Sequence, residues 1–358
     1  MSHISRRSLI KASGAAAALP LLGGRAFAQD PLKVAFVFVG PVGDFGYTYA
    51  HSQGRLAAEA AFGDKIKTSY VENVAEGPDS ERVIKNLADD GNQLIFTCSF
   101  GFMNPTIKVA KRFPDVKFEH CSGYQRADNV ATYNARFYEG RAVCGTLAAT
   151  LSTTGTAGYI ASFPIPEVVM GINAFTLAAR KVNPEFRTNV VWVSSWYDPA
   201  KEADAAKALL DQGADVLAQH TDSPAGLQAA DQRGLMAFGQ AWNMESFAPE
   251  AQLTAIENHW GVYYVERITE MLAGKWASSD TFWGLKQEMI KLSPFGPQVT
   301  PEAAAAADAT AAGIKDGSAP VFAGPIKDRE GTERVAAGAS LDDAGLWKMD
   351  WFVEGVQG

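Results

Sequence analysis

Lys33-Val34-Ala35-Phe36-Val37-Phe38-Val39 runs directly into Gly40-Pro41-Val42-Gly43-Asp44-Phe45-Gly46. After its first residue the former stretch is wholly apolar. A strand apolar on both faces is one covered on both sides, as in a parallel sheet flanked by helices. The glycines and proline that follow predict a loop. A helix is expected next, from about Thr48 to Ala61. The unit then recurs. A second strand is expected over 66–71. Asp79 or Ser80 can cap a helix that carries Val83, Ile84 and Leu87 and stops near Gly91. Leu94-Ile95-Phe96-Thr97 predicts a third strand, followed by a loop over 99–105 and a helix through Val109. Short strands are expected at 116–119 and 130–133, then an Ala- and Gly-rich helix over 137–151.

From Gly158 the pattern restarts. Strands are expected at 158–161, 190–193, 216–218 and 235–238, with helices at 167–182, 199–211 and 225–233 between them. Asp198 precedes Pro199 as an N-cap before the first helical position. Such alternation means parallel strands with helices on both faces. One sheet of so many strands is an unfavoured solution. The reading is therefore an α/β protein of two doubly wound parallel-sheet lobes joined by a hinge. Residues 31–155 plus about 255–300 are assigned to the first lobe. Residues 156–254 plus about 301–358 are assigned to the second. Hinge crossings are expected near 153–160, near 248–258 and in the tail. The last third is less regular, with a helix at 260–273, one or two strands over 281–292 and an Ala-rich helix opened by Thr300-Pro301-Glu302.

The 358 residues, 47% hydrophobic and 20% charged, suit two ordinary cores. A net charge of −8 disfavours nucleic acid as a partner. Ser5-Arg6-Arg7-Ser8-Leu9-Ile10-Lys11, an apolar run over 12–24, and Ala26-Phe27-Ala28 form a secretory address. Its paired arginines resemble a twin-arginine signal. Residues 1–28 are read as this signal, cleaved near Ala28. No Cys follows the apolar run, so a lipoprotein is not expected. Without residues 1–28, which hold four bases and no acid, the net charge is −12. That acidity favours a soluble monomer, and the expected compartment is the periplasm.

In open α/β sheets ligands sit beyond the carboxyl ends of the strands. The residues expected there are rich in aromatic and small polar side chains. Asp44, Tyr47, Phe100 and Phe102 come from the first half. Trp196, Asp222, Trp242 and Asn243 come from the second. Aromatics from opposite lobes can sandwich a flat ligand while Asp and Asn read its edge. Any single aromatic can equally be packing. No HExxH, GxSxG or Walker sequence is present, so no catalytic residue, metal or cofactor is assigned. His120 and His220 end strands, with no obvious nucleophile beside them. Cys98, Cys121 and Cys144 read as small buried residues. Cys98 and Cys121 end neighbouring strands, which leaves a disulfide between them open.

The order and spacing of several stretches resemble the BMP family, the basic-membrane-protein and purine-nucleoside-receptor group. These are type I periplasmic substrate-binding proteins of ABC transporters. The stretches are residues 40–51, Phe113-Pro114-Asp115-Val116-Lys117-Phe118, and Gly123-Tyr124 with 129–133. They continue with Phe163-Pro164-Ile165-Pro166-Glu167 leading to 171–175, and with 195–201. The resemblance implies a purine held between the lobes for an ABC permease in the inner membrane. It places Tyr47 and Trp196 as facing aromatics, with Asp222 and Asn243 on ligand-contacting loops. It also implies polar partners for ribose. Here Val39-Gly40-Pro41, Gly239-Gln240-Ala241 and Glu257 stand where two Asp and a Lys would be expected. A ribose would then leave hydroxyls poorly paired in a dry site. The expected ligand is a free nucleobase, adenine foremost. A nucleoside, a sugar or an amino acid on the same fold, or a nucleoside hydrolase or phosphorylase, are the alternatives.

Overall fold

Residues 30–358 are described by a computed structural model of the chain. Strand β1, Leu32–Phe38, is buried at every position except Lys33. It lies inside a wholly parallel sheet with β2 (Ile66–Val71), β3 (Leu94–Cys98), β4 (Lys117–Cys121) and β5 (Val130–Ala135). The second sheet contains β6 (Thr156–Ala161), β7 (Arg187–Trp192), β8 (Val216–His220), β9 (Met236–Ala241) and β10 (Gln252–Asn258). The chain returns to the first sheet at β11 (Asp280–Trp283), parallel to β5. It goes back to the second at β12 (Ile290–Leu292), antiparallel to β10. A small hairpin, β13 (Ile326–Lys327) with β14 (Glu333–Val335), precedes β15 (Val356–Gln357), which lies parallel to β7. The orders are β11-β5-β4-β3-β1-β2 and β12-β10-β9-β8-β6-β7-β15. The molecule is an α/β protein of two parallel-dominated, helix-flanked sheets.

Helices α1 (Gly46–Phe62), α2 (Pro78–Asp89) and α3 (Met103–Ala110) follow β1, β2 and β3. α4 (Phe137–Leu151), α5 (Pro166–Val182), α6 (Pro199–Asp211) and α7 (Ala225–Asp231) alternate with the strands after β5, as the sequence pattern requires. α8 (Gly261–Leu272) and α9 (Pro301–Asp316) occupy the last third. Asp198 accepts the backbone N–H of Lys201, so the expected N-cap of α6 forms, and Thr300 caps α9 in the same way through Ala303 N–H. At α2 the cap differs. Gly77 occupies the N-cap position with Pro78 next, and the Ser80 hydroxyl donates back to Gly77 O at 2.8 Å. The proline sets the helix start two or three residues early.

The partition of the chain between the sheets differs from the expected ranges. α4 falls within 31–155 but packs on α5, α9, β10 and β12. Its glycines explain this. A Cβ at Gly145 would overlap the Phe175 carbonyl of α5, and one at Gly140 would lie 2.9 Å from Ile256 Cγ2 of β10. Only a helix without side chains there approaches so closely. β10 and β12 fall in or near 255–300 but belong to the second sheet, whereas α8 and β11 of the same stretch belong with the first. The chain therefore passes between sheets around residues 136, 259–260 and 284–289. α8 is tied to the first sheet by a buried network. The Tyr263 hydroxyl (2.5 Å), Arg267 Nε (2.6 Å) and Trp276 Nε1 (2.6 Å) all donate to the Glu119 carboxylate of β4.

Candidate functional site

The carboxyl ends of the two sheets face each other across a narrow cavity. From the first sheet's side Val39, Tyr47, Ser99, Phe100 and Ser122 line it. Glu167, Trp196, His220, Thr221, Asp222 and Gln240 line it from the second. Three non-glycine residues at or just past the strand ends hold left-handed backbone: Ser122 (φ 65°), Ser194 (φ 50°) and Ala241 (φ 62°). Such strain, about 1–3 kcal/mol each, collects where loops must turn sharply around a site.

Tyr47 sits in the first turn of α1. Its backbone N–H donates to Asp222 Oδ1 at 3.0 Å, so a carboxylate from beyond β8 caps a helix that follows β1. The Tyr47 hydroxyl donates to Cys121 Sγ at 3.2 Å. Its ring stands edge-on to His51, centroids 4.3 Å apart. Trp196 leans on Phe163 at 5.0 Å and reaches towards His220 at 6.4 Å. Thus one aromatic wall comes from each half of the molecule.

The polar groups are unevenly satisfied. Glu167 opens α5, accepts from Asn134 Nδ2 at 2.5 Å, and lies 3.4 Å from His220 Nε2. His220 Nδ1 and Thr221 Oγ1 are buried with no hydrogen-bond partner. A proton on Nε2 facing Glu167 leaves Nδ1 as an acceptor. Burial pushes the His220 pKa down despite Glu167, so the neutral ring is the resting form. Burial pushes Asp222 up to about 7, against the Tyr47 N–H and with help from Glu202. Unpartnered buried polar atoms lining a cavity call for a ligand that pairs with them.

Four of the eight sequence-nominated residues, Tyr47, Phe100, Trp196 and Asp222, line this cavity together. The other four do not. Asp44 is exposed to solvent on the loop before α1. Phe102 is fully buried among Ala35, Val37 and Phe118, because the short 3₁₀ turn Phe100–Phe102 sends its two rings to different places. Trp242 packs against Tyr49 (5.5 Å) and His259 (5.3 Å), and borders a separate surface cavity. The Asn243 carbonyl is taken by Gln252 Nε2 at 2.6 Å and Glu245 N at 3.0 Å. The left-handed Ala241 turns the chain away just before both residues. Glu167 was missed because it opens a helix rather than ending a strand. Cys98 and Cys121 are register partners on β3 and β4 and remain free thiols, so no disulfide joins them. Burial pushes Cys98 up to about 12. Among the described residues no group of three or more His, Cys, Asp or Glu is placed to hold a metal, and no helix is long and apolar enough to cross a membrane.

The family profile Bmp, described as ABC transporter substrate-binding protein PnrA-like, matches residues 32–311. A twin-arginine translocation signal profile matches residues 3–23, which lie outside the described residues. The chain is 54% identical over 336 residues to a purine-binding protein of Brucella abortus, covering 94% of this chain and 96% of that one. It is 36% identical over 337 residues to a putative ABC transporter glucose-binding protein of Haloferax volcanii, covering 94% and 83%. Among solved structures it resembles an ABC transporter solute-binding protein of Aeropyrum pernix, with TM-score 0.70 and 20% identity over 83% of this chain and 93% of that one.

Proposed function

Because this chain belongs to the Bmp family of ABC transporter substrate-binding proteins and carries a twin-arginine export signal, we propose that it captures a free purine base in the periplasm. Adenine is the favoured ligand, and the loaded protein hands it to a permease in the inner membrane. The family is one of binding proteins and not enzymes. The observation that carries the ligand reading is the cavity itself. Tyr47 and Trp196 supply flat walls from the two halves, and His220 Nδ1 and Thr221 Oγ1 wait unpaired between them. A purine stacks on such walls and offers both donors and acceptors at its rim. The relative named as purine-binding supports the same class.

Base is favoured over nucleoside by what surrounds the cavity. Gly40 and Ala241 offer no side-chain carboxylate, and the Glu257 carboxylate is engaged by His259 Nε2 at 2.8 Å, away from the cavity lining. Ribose hydroxyls would enter without the two Asp and the Lys that the resemblance implies for them, and each buried hydroxyl left unpaired costs about 1–3 kcal/mol. About ten heavy atoms binding at micromolar strength need roughly −0.8 kcal/mol each, below the ceiling of about −1.5.

Calorimetric titration of refolded, ligand-stripped protein tests this. The panel is adenine, guanine, hypoxanthine, xanthine, uracil, the matching nucleosides, glucose and a set of amino acids. Adenine is expected to bind at least about tenfold more tightly than adenosine. Equal or tighter adenosine binding overturns the base reading and leaves the family untouched. Binding of glucose with no purine response overturns the purine reading.

A further inference from the structure

Arg141, on α4, is fully buried. The ion pairs among the described residues do not include it, although Arg267 and His220 both find buried carboxylates. One nitrogen, Nη2, donates to the Gln219 carbonyl and to Gln240 Oε1. Nε and Nη1 have no partner. The guanidinium lies 5.7 Å from the Tyr159 ring centroid. Gly171 of α5 makes the room: a Cβ there would sit 3.1 Å from the Tyr159 hydroxyl and 3.5 Å from Arg141 Cγ. A lone buried cation is costly, and an apolar side chain of similar length would pack there more cheaply. Its presence therefore asks for a role that packing does not supply.

Gln240 supplies it. A carboxamide can present either its oxygen or its NH₂ to a ligand. A guanidinium has donors only and keeps its charge at every relevant pH. The Gln240 oxygen must therefore face Arg141, and its NH₂ must turn the other way. Gln240 lines the cavity, and no hydrogen bond among the described residues holds its Nε2. We infer that Arg141 is a positioning residue that locks Gln240 as a hydrogen-bond donor, and so selects ligands that present an acceptor lone pair to this wall. Glu167 and His220 Nδ1, also on the cavity wall, are acceptors. One fixed donor among acceptors fits an aminopurine, whose ring nitrogens accept and whose amino group donates. The inference rests on the purine reading for the identity of the ring, but not for the polarity of Gln240.

The test uses adenine and its 1-deaza, 3-deaza and 7-deaza analogues, each with one ring nitrogen replaced by C–H. Affinities are measured for the wild-type chain, Arg141→Met, Arg141→Lys and Gln240→Met, with thermal unfolding checked for each. For the wild type, one analogue is expected to bind about tenfold or more weakly than adenine, because the Gln240 donor is left unpaired. In Arg141→Met that deficit should shrink below about threefold, since the carboxamide is free to turn. Arg141→Lys should restore it, because an ammonium also only donates. Gln240→Met should abolish it from the other side, which keeps the test alive if Arg141→Met fails to fold. An unchanged deficit in Arg141→Met, or no deficit for any analogue in a wild type that binds adenine, overturns the inference and spares the purine reading. A ligand-free arm separates the two further. The ¹⁵N side-chain signals of Gln240 should move in Arg141→Met and stay near wild type in Arg141→Lys. If they do not move in Arg141→Met, the inference is overturned whichever solute binds.

Discussion

Asp222 is asked to do two things with one carboxylate. It caps the first turn of α1 through the Tyr47 N–H, and it borders the cavity. Burial holds its pKa at about 7, so the folded state favours its protonated form. The stabilisation from this group is fully present below the ordinary carboxylate pKa of 3.8 and is lost as pH rises through about 7. Buried His51, His120 and His220 are pushed down and act with the opposite sign, since they resist protonation at low pH. The contribution of Asp222 is therefore isolated as a difference. Between pH 4 and 7 the unfolding free energy of the wild type should fall relative to Asp222→Asn, by at most about 1.4 kcal/mol per pH unit. Urea denaturation across that range measures it, and parallel curves for the two proteins would rule the assignment out. At this scale half of the nominated residues come together around the cavity. The strand-end rule pointed to Tyr47, Phe100, Trp196 and Asp222, which line the cavity because side chains beyond strand ends open onto the cleft. It over-reached at Asp44, Phe102, Trp242 and Asn243. One residue of backbone twist, as in the turn at Phe100–Phe102 or at left-handed Ala241, decides which way a loop side chain faces. No apolar pattern encodes that twist.

Among the elements, α4 shows how a legible helix can have an illegible partner. Its composition marks it as a tightly packed helix, and the structure holds it at 137–151 as read. Apart from Glu139 and Arg141 it is mostly apolar or small all round, so periodicity cannot say which sheet it joins. The glycine seam decides it. Gly145 lies against backbone, the Phe175 carbonyl, with a Cβ at 2.1 Å, whereas Gly140 meets only side-chain atoms of Ile256, at 2.9 Å and beyond. Gly145→Ala is therefore expected to destabilise by about 1–3 kcal/mol, because α5 must shift as a unit. Gly140→Ala should do less, with any loss partly offset by the better helix propensity of alanine, about 1 kcal/mol. Thermal unfolding of the two variants gives the order, and a reversed order would contradict the seam. Asp198 offers a cleaner local check. Its carboxylate caps α6 at Lys201 N, 3.2 Å away, so Asp198→Ala should cost about 1 kcal/mol by the same measurement.

The whole molecule is built to place two halves against each other. Three strand-to-strand passages cross between the sheets, and they are bound to one another. Arg136 N donates to Trp283 O at 2.7 Å, Leu285 N to Glu139 Oε2 at 2.7 Å, and His259 N to Met289 O at 2.8 Å. Across the cavity the loop before α1 reaches the second half, where Phe45 meets Phe247 at 5.1 Å and Tyr197 at 6.4 Å. Gly46 lies close against the second half as well. Its φ is +78°, and a Cβ there would lie 3.0 Å from the Asp222 carbonyl and 3.2 Å from Asp222 Cβ. A hinge that opens and closes would bring this contact together only in the closed form. A side chain at Gly46 should then oppose closure far from the hinge and outside the cavity lining. In small-angle X-ray scattering the wild type should contract when saturated with adenine. Gly46→Val should keep its ligand-free radius of gyration and bind at least about tenfold more weakly, since affinity falls with the fraction able to close. The left-handed backbone adds a separate cost of about 1–2 kcal/mol, because a β-branched residue resists positive φ. Unfolding without ligand reads that cost alone. If the variant loses only this stability and still contracts with adenine as the wild type does, the contact at Asp222 does not govern closure. If it stays extended while remaining folded, Gly46 and Asp222 form the point at which the two halves meet.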